Sequence, residues 1–125
     1  EKSLGFATAK YRDTGTIANA SVFNRLGSLP SYNFKSASFK DLSEITAETI
    51  YQKTDVRSAH CANCTIGCEK LITEPGSGKQ VRLEYQSLFA LGPLLGSGNR
   101  SILLQSTSYC DEVGLDTVSA GVTIA

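Results

Sequence analysis

Cys61-Ala62-Asn63-Cys64-Thr65-Ile66-Gly67-Cys68 places three of the chain's four cysteines in one short run. The spacing is C-x2-C-x3-C, and only Cys110 lies elsewhere. Cysteines this close in sequence seldom all bridge to distant partners, whereas they can converge on one metal centre without strain. Soft thiolates select zinc, copper(I) or iron–sulfur clusters. Metal ligation is therefore the first chemistry this sequence suggests.

Three readings of the run stay open on spacing alone. Structural zinc sites usually pair two C-x2-C or Cys/His knuckles across a loop. Here the second pair is missing, and His60 and Cys110 are the only obvious further soft ligands. Iron–sulfur clusters are often held by a tight group of cysteines plus a remote one, and by counting Cys110 is the candidate. The order C-x2-C-x3-C reverses the radical S-adenosylmethionine spacing, and it differs from the C-x2-C-x2-C ferredoxin run. Disulfides or free thiols are the third reading. Ala62 and Gly67 keep the loop small, so backbone amides can approach sulfur and tune a cluster. His60 either tunes such a cluster by hydrogen bonding or is a partly exposed polar residue.

Length and composition bound the rest. The 125 residues amount to about one domain. Hydrophobic residues at 41% and charged residues at 19% suffice for a core. Zero net charge and a pI near 6.8 argue against a nucleic-acid partner. No apolar run is long enough for a membrane span, and no basic-then-apolar leader is evident. Reduced thiols in a cytoplasmic protein are the expectation. The chain opens without methionine and closes on the apolar run 117–125, which reads as a single domain, 1–125, cut from a longer protein.

The pattern along the chain predicts a mainly α, irregular helical domain with one small β-hairpin. Ile17, Ala18, Val22, Phe23 and Leu26 predict a helix over 14–29, with Gly27 near its end. Leu29 to Phe34 reads as extended or turn because of Pro30. Asp41 or Ser43 is a candidate cap for a helix reaching Lys53. Segments 70–73 and 80–84 flank Pro75-Gly76-Ser77-Gly78 as a hairpin. Residues 87–91 fit either strand or helix. Ser97 or Asn99 is a candidate cap for a helix over 100–113 ended by Gly114, and a last helix starts near Asp116 or Thr117.

Asp111-Glu112-Val113-Gly114-Leu115-Asp116 forms a second constellation. Its structural reading is a helix–turn–helix whose Asp116 caps the next helix. Its functional reading is a pair of carboxylates beside exposed backbone. Such a pair suits an amine-rich heterocycle, since carboxylates accept paired N–H bonds well.

Together these segments resemble the aldehyde:ferredoxin oxidoreductase family of tungsten- or molybdenum-pterin enzymes. Gly15-Thr16, then Asn24-Arg25-Leu26-Gly27-Ser28-Leu29-Pro30 and Asn33-Phe34, resemble the family's G-T…N-x-L-G-A-L-P-x-x-N-F segment. Cys61 to Cys68 resembles C-x2-C-P-I-x-C. Glu84-Tyr85-Gln86-Ser87-Leu88-Phe89-Ala90-Leu91-Gly92-Pro93 resembles E-Y-E-T-L-W-A-L-G-P. Residues 111–125 resemble D-x-x-G-L-D-T-I-S-T-G-N-T-I-A. Four segments in order are far more specific than any one of them.

The resemblance implies that Cys61, Cys64 and Cys68 ligate one 4Fe-4S cluster, with a fourth cysteine beyond residue 125. Cys110 is then a packed thiol. Asp111, Leu115 and Asp116 would contact a tungsten (or molybdenum) bis-molybdopterin, the aspartates by side chain and Leu115 by backbone. The implied reaction oxidises an aldehyde to a carboxylic acid and sends electrons through the cluster to ferredoxin or a similar acceptor. The remaining domains of the parent chain and a possible homodimer are further implied partners, and the isolated 125 residues are expected to be inactive. Thr65 replaces the family's usual proline. Gln86 stands where the family commonly has a second glutamate near the metal, and glutamine cannot act as a carboxylate base. An altered activity or substrate class is the expectation this raises. The different-class alternatives are a non-enzymatic iron–sulfur electron carrier and a zinc-stabilised interaction domain.

Overall fold

The computed structural model describes residues 5–125, so residues 1–4 of the expected domain lie outside the described ones. Three strands, β1 (Val56–Ala59), β2 (Glu69–Thr73) and β3 (Gln80–Leu83), pair antiparallel in chain order. The register sets Val56 opposite Ile72 and Ala59 opposite Glu69, then Lys70 opposite Leu83 and Ile72 opposite Val81. Side chains alternate faces along a strand. Lys70, Ile72, Val81 and Leu83 therefore share the core face, and all four are buried.

The expected hairpin is β2–β3. The third strand, β1, carries no strong signal, because its four residues are exposed or half-buried. Its presence changes the meaning of the cysteine run. Residues 60–68 are the loop of a second hairpin, clamped at both ends by the β1–β2 ladder.

The mainly helical expectation holds. The helices are α1 (Phe6–Thr14), α2 (Asn19–Arg25), α3 (Ala47–Lys53), α4 (Tyr85–Leu91), α5 (Arg100–Val113) and α6 (Thr117–Ile124). The helix expected over 14–29 is a correction. Gly15, at φ 69° and ψ −175°, ends α1, a 3-10 turn follows at Thr16–Ala18, and α2 covers only the middle of the expected range. Helix α1 escapes sequence patterning because none of its side chains is buried, so it has no apolar stripe. The expected helix from Asp41 or Ser43 is also broken. Leu42–Ile45 is a 3-10 turn, Thr46 is extended, and the Thr46 hydroxyl caps α3 by accepting the Thr49 N–H at 3.2 Å. Residues 87–91 resolve as helix. Helix α5 matches its expected range, with Asn99 accepting the Ile102 N–H at 3.1 Å and Gly114 left-handed at its end.

Helix α5 lies on β3, and α4 packs against α2, α5 and α6. The core between them joins Ile17, Leu29, Ile45, Ile50, Ile72, Leu83, Leu88, Leu103 and Leu104. Helices α4 and α6 cross so closely that a Cβ on Gly121 would collide with the Ala90 carbonyl oxygen. Phe23 meets Tyr85 edge-on at 5.2 Å, and Tyr85 stacks on Phe89 at 5.4 Å.

Loop 29–37 is fixed by hydrogen bonds. The Asn24 amide donates to the Phe39 carbonyl at 2.9 Å and accepts the Phe39 N–H at 2.6 Å. Tyr32, Asn33 and Phe34 all have left-handed φ, from 51° to 59°. That conformation is uncommon outside glycine. Here it is held by Tyr32 and Asn33 donating their backbone N–H groups to the Pro93 and Leu94 carbonyls. The Asn24–Phe34 segment is thus pinned to the Gly92-Pro93 segment, far away in sequence.

Candidate metal centre and cofactor wall

The loop between β1 and β2 reverses direction through two left-handed residues, Asn63 at φ 61° and Gly67 at φ 63°. The Cys64 N–H donates to the Cys61 carbonyl at 3.0 Å, closing the first turn. The second turn brings the Gly67 N–H, and then the Ile66 N–H, onto the Cys64 sulfur. These bonds pull the Cys64 thiol below its ordinary pKa, against a small opposing effect of burial. Two amide donors on one sulfur stabilise the thiolate, which is the form that binds metal. All three cysteines are free, with Cys61 exposed and Cys64 and Cys68 half-buried.

Two packing contacts hold this loop. The His60 ring covers Gly67, where a Cβ would fall 2.5–3.0 Å from ring atoms. Its Nδ1 lies 3.1 Å from the Cys64 carbonyl, so Nδ1–H is the donor in this contact. Gly15 presses on the other side, where a Cβ would stand 2.7 Å from the Cys68 carbonyl oxygen and 2.9 Å from Lys70 Cγ. His60 is thereby a brace of the loop.

Among the described residues, no three His, Cys, Asp or Glu side chains converge closely enough to hold a single metal ion. A cluster makes a different demand, because its thiolates bind separate iron atoms. An exposed hairpin loop with three unpaired cysteines and amide donors on sulfur fits that donor set. Cys110 differs in every respect. It is buried in the core on α5, and burial, then the charges of Asp111 and Asp116, push its thiol up.

The second constellation forms one wall. A cavity of about 290 Å³ is lined by Arg82, Glu84, Gln86, Ser87, Asp111, Leu115, Asp116 and Thr117. Gln86, Asp111, Leu115 and Asp116, singled out by the family resemblance, are all exposed and meet here. Asp111 lies in the last turn of α5. Leu115 donates its N–H to the Cys110 carbonyl at 2.8 Å. Asp116 caps α6 by accepting the Ser119 N–H at 2.7 Å, which holds its carboxyl below the usual range. The cap reading and the wall reading thus hold together. One carboxylate oxygen serves the helix, and the residue still lines the cavity. The Ser87 and Thr117 hydroxyls, 3.3 Å apart, join α4 to α6 at the cavity's edge.

Glu84 and Lys70 are residues that sequence reasoning undervalued. Glu84 lines the cavity, and its carboxyl is pushed up, first by burial and then by a hydrogen bond and charge repulsion from Glu69, with Arg82 opposing. Arg82 pairs with Glu69 at 3.4 Å. The available signal for Glu84 was its place two residues before Gln86. For Lys70 the signal was strand alternation with Ile72, which turns a lysine inward.

Comparison with known proteins agrees with this geometry. Residues 2–125 match the family described as aldehyde ferredoxin oxidoreductase, domains 2 & 3. The chain is similar to the tungsten-containing aldehyde ferredoxin oxidoreductases of Thermococcus kodakarensis, Pyrococcus horikoshii and Pyrococcus furiosus. Each is 34% identical over 111 residues, covering 89% of this chain. The chain spans 18% of the length of each of these relatives. A family match across nearly every residue, on a fold that gathers the same segments into one loop and one wall, leaves one assignment: the chain belongs to the aldehyde ferredoxin oxidoreductase family.

Proposed function

We propose that this chain holds a 4Fe-4S cluster through Cys61, Cys64 and Cys68 and supplies one wall of a tungsten–pterin site through Asp111, Leu115 and Asp116. Both would serve an enzyme that oxidises aldehydes to carboxylic acids. The observation that carries the proposal is the hairpin loop, closed at both ends by the β1–β2 pairing, that holds Cys61, Cys64 and Cys68 as three free thiols. The fourth thiolate and the rest of the pterin site come from other parts of the full-length enzyme. The tungsten–pterin group, when bound, supplies the two-electron chemistry. An aldehyde and water give a carboxylic acid, two protons and two electrons. A cluster held by Cys61, Cys64 and Cys68 would supply a one-electron route from that chemistry to ferredoxin or a similar carrier. The unbridged thiols of the loop suit a reducing, cytoplasmic setting.

Within this reading, Asp111 and Asp116 accept N–H bonds from the pterin. Glu84 keeps a carboxyl in the cavity that can hold a proton at higher pH than an ordinary glutamate. Gln86 can only donate and accept hydrogen bonds.

The deciding experiment is anaerobic isolation of the full-length enzyme, with metal analysis, visible absorption and EPR of the reduced protein. Iron, sulfide and tungsten or molybdenum are expected together. Iron and sulfide alone would indicate a simple electron carrier, and a colourless protein with one tight zinc would point to an interaction domain. Gln86→Glu tests the departure from the family. General-base assistance contributes about 10²–10⁴-fold, so aldehyde turnover or substrate preference should change by at least about tenfold. Unchanged turnover across a panel of aldehydes removes any functional meaning from Gln86.

A further inference from the structure

Lys70 is 2% exposed, which is rare for a lysine. It occupies an inward position of β2 beside Ile72, opposite Leu83, where an apolar side chain would be the cheaper choice. Its stem packs on Gly15. Its Nζ donates to the Arg12 carbonyl at 2.7 Å, the Ser58 hydroxyl at 2.7 Å and the Gly67 carbonyl at 3.3 Å. Three acceptors match the three N–H donors of an ammonium group. The Arg12 carbonyl belongs to the last turn of α1, where the helix dipole favours a cation.

The ammonium therefore joins three elements: the end of α1, strand β1 and the cysteine loop. A tie between α1 and the sheet alone does not require the bond to Gly67. A structural role alone also gives no reason for a buried charge bonded to the cysteine loop. A four-thiolate cluster is anionic in both redox states and gains a further negative charge when it takes up one electron. A fixed cation nearby stabilises the reduced form more and raises the potential.

We propose that Lys70 is a positioning residue of the cluster: its buried ammonium anchors the cysteine loop and holds a positive charge that raises the cluster's reduction potential. This rests on the cluster reading above. No bond forms or breaks in the step concerned. A bound cluster would take one electron from the substrate side and pass one to the acceptor, so the electrons balance.

The test is an EPR-monitored redox titration of the full-length enzyme and of its Lys70→Met, Lys70→Gln and Lys70→Arg variants, with iron content and circular dichroism measured in parallel. The neutral variants should shift the reduction equilibrium about tenfold towards the oxidised cluster, equivalent to about 59 mV for a one-electron couple. Arginine should restore most of that shift. A neutral variant that folds, holds full iron and keeps the wild-type potential overturns the proposal. Folded neutral variants that lose iron while Lys70→Arg keeps it establish the anchoring role. If neither neutral variant folds, Ser58→Ala decides. It removes one acceptor and should speed iron release to a chelator at least about threefold, and unchanged release overturns the anchor. A wild-type enzyme without iron defeats the cluster reading itself, a result distinct from all of these.

Discussion

Cys64→Ser in the full-length enzyme is expected to remove the cluster and with it aldehyde oxidation. Cys64 sits mid-loop, its N–H on the Cys61 carbonyl and its thiol held below the ordinary range by the Gly67 and Ile66 backbone. Serine at that position leaves both donors facing a hydroxyl that does not ionise at neutral pH. Changes to groups that merely support a ligand commonly lower metal affinity or activity 10–100-fold. Loss of the ligand itself should exceed that, with turnover falling on the order of 10³-fold and visible absorption and iron content falling together. Cys110→Ser is the matched control. It should keep iron and EPR signal, because Cys110 sits in the core with its thiol pushed up. Its effect should be a loss of stability of about 1–3 kcal/mol from a buried hydroxyl lacking an assured partner. If Cys110→Ser loses iron while Cys64→Ser retains it, the ligand assignment is wrong.

The sequence carried some parts of this architecture openly and concealed others, for identifiable reasons. Helix α5 was legible because its start and stop are local chemistry, an Asn99 cap and a left-handed Gly114. The β2–β3 hairpin was legible from its Gly-rich turn and alternating strands. Helix α1 was not, since tertiary bonds at its end hold it in place of an apolar stripe. Lys10 reaches Asn19 at 2.6 Å, and Lys70 takes the Arg12 carbonyl. Strand β1 was hidden by shortness and exposure, and only pairing with β2 makes it a strand. At the site, the three clustered cysteines could be singled out by their spacing, and Gln86, Asp111, Leu115 and Asp116 by the resemblance to the family. Their supports could not. His60 over Gly67, Gly15 against Cys68 and Lys70 beneath the loop are contacts between residues whose types alone announce nothing.

Gly15 shows how the fold and the site depend on one another, and its replacement should be the most damaging change outside the ligands. Its backbone, φ 69° and ψ −175°, lies in a region that is essentially restricted to glycine. Forcing alanine to stay there costs about 1–3 kcal/mol. The added Cβ would also stand 2.7 Å from the Cys68 carbonyl oxygen, closer than real Cβ contacts come. That oxygen is backbone at the end of the cysteine loop, so it cannot swing aside as a side chain does. Crowding of this kind typically adds about 1–3 kcal/mol. Gly15→Ala should thus destabilise the domain by about 2–6 kcal/mol in total and displace Cys68. Gly27→Ala separates the two causes. Gly27 has φ 64° but nothing within 4 Å of the Cβ position, so it carries backbone strain without crowding. It should cost about 1–2 kcal/mol and leave the cluster untouched. Unfolding midpoints and the rate of iron loss to a chelator distinguish the two variants. Gly15→Ala should unfold earlier and release iron faster, whereas Gly27→Ala should only unfold earlier. Equal iron retention in both would mean that the contact between Gly15 and Cys68 does not shape the cluster loop, and that the glycine serves the turn between α1 and α2 alone.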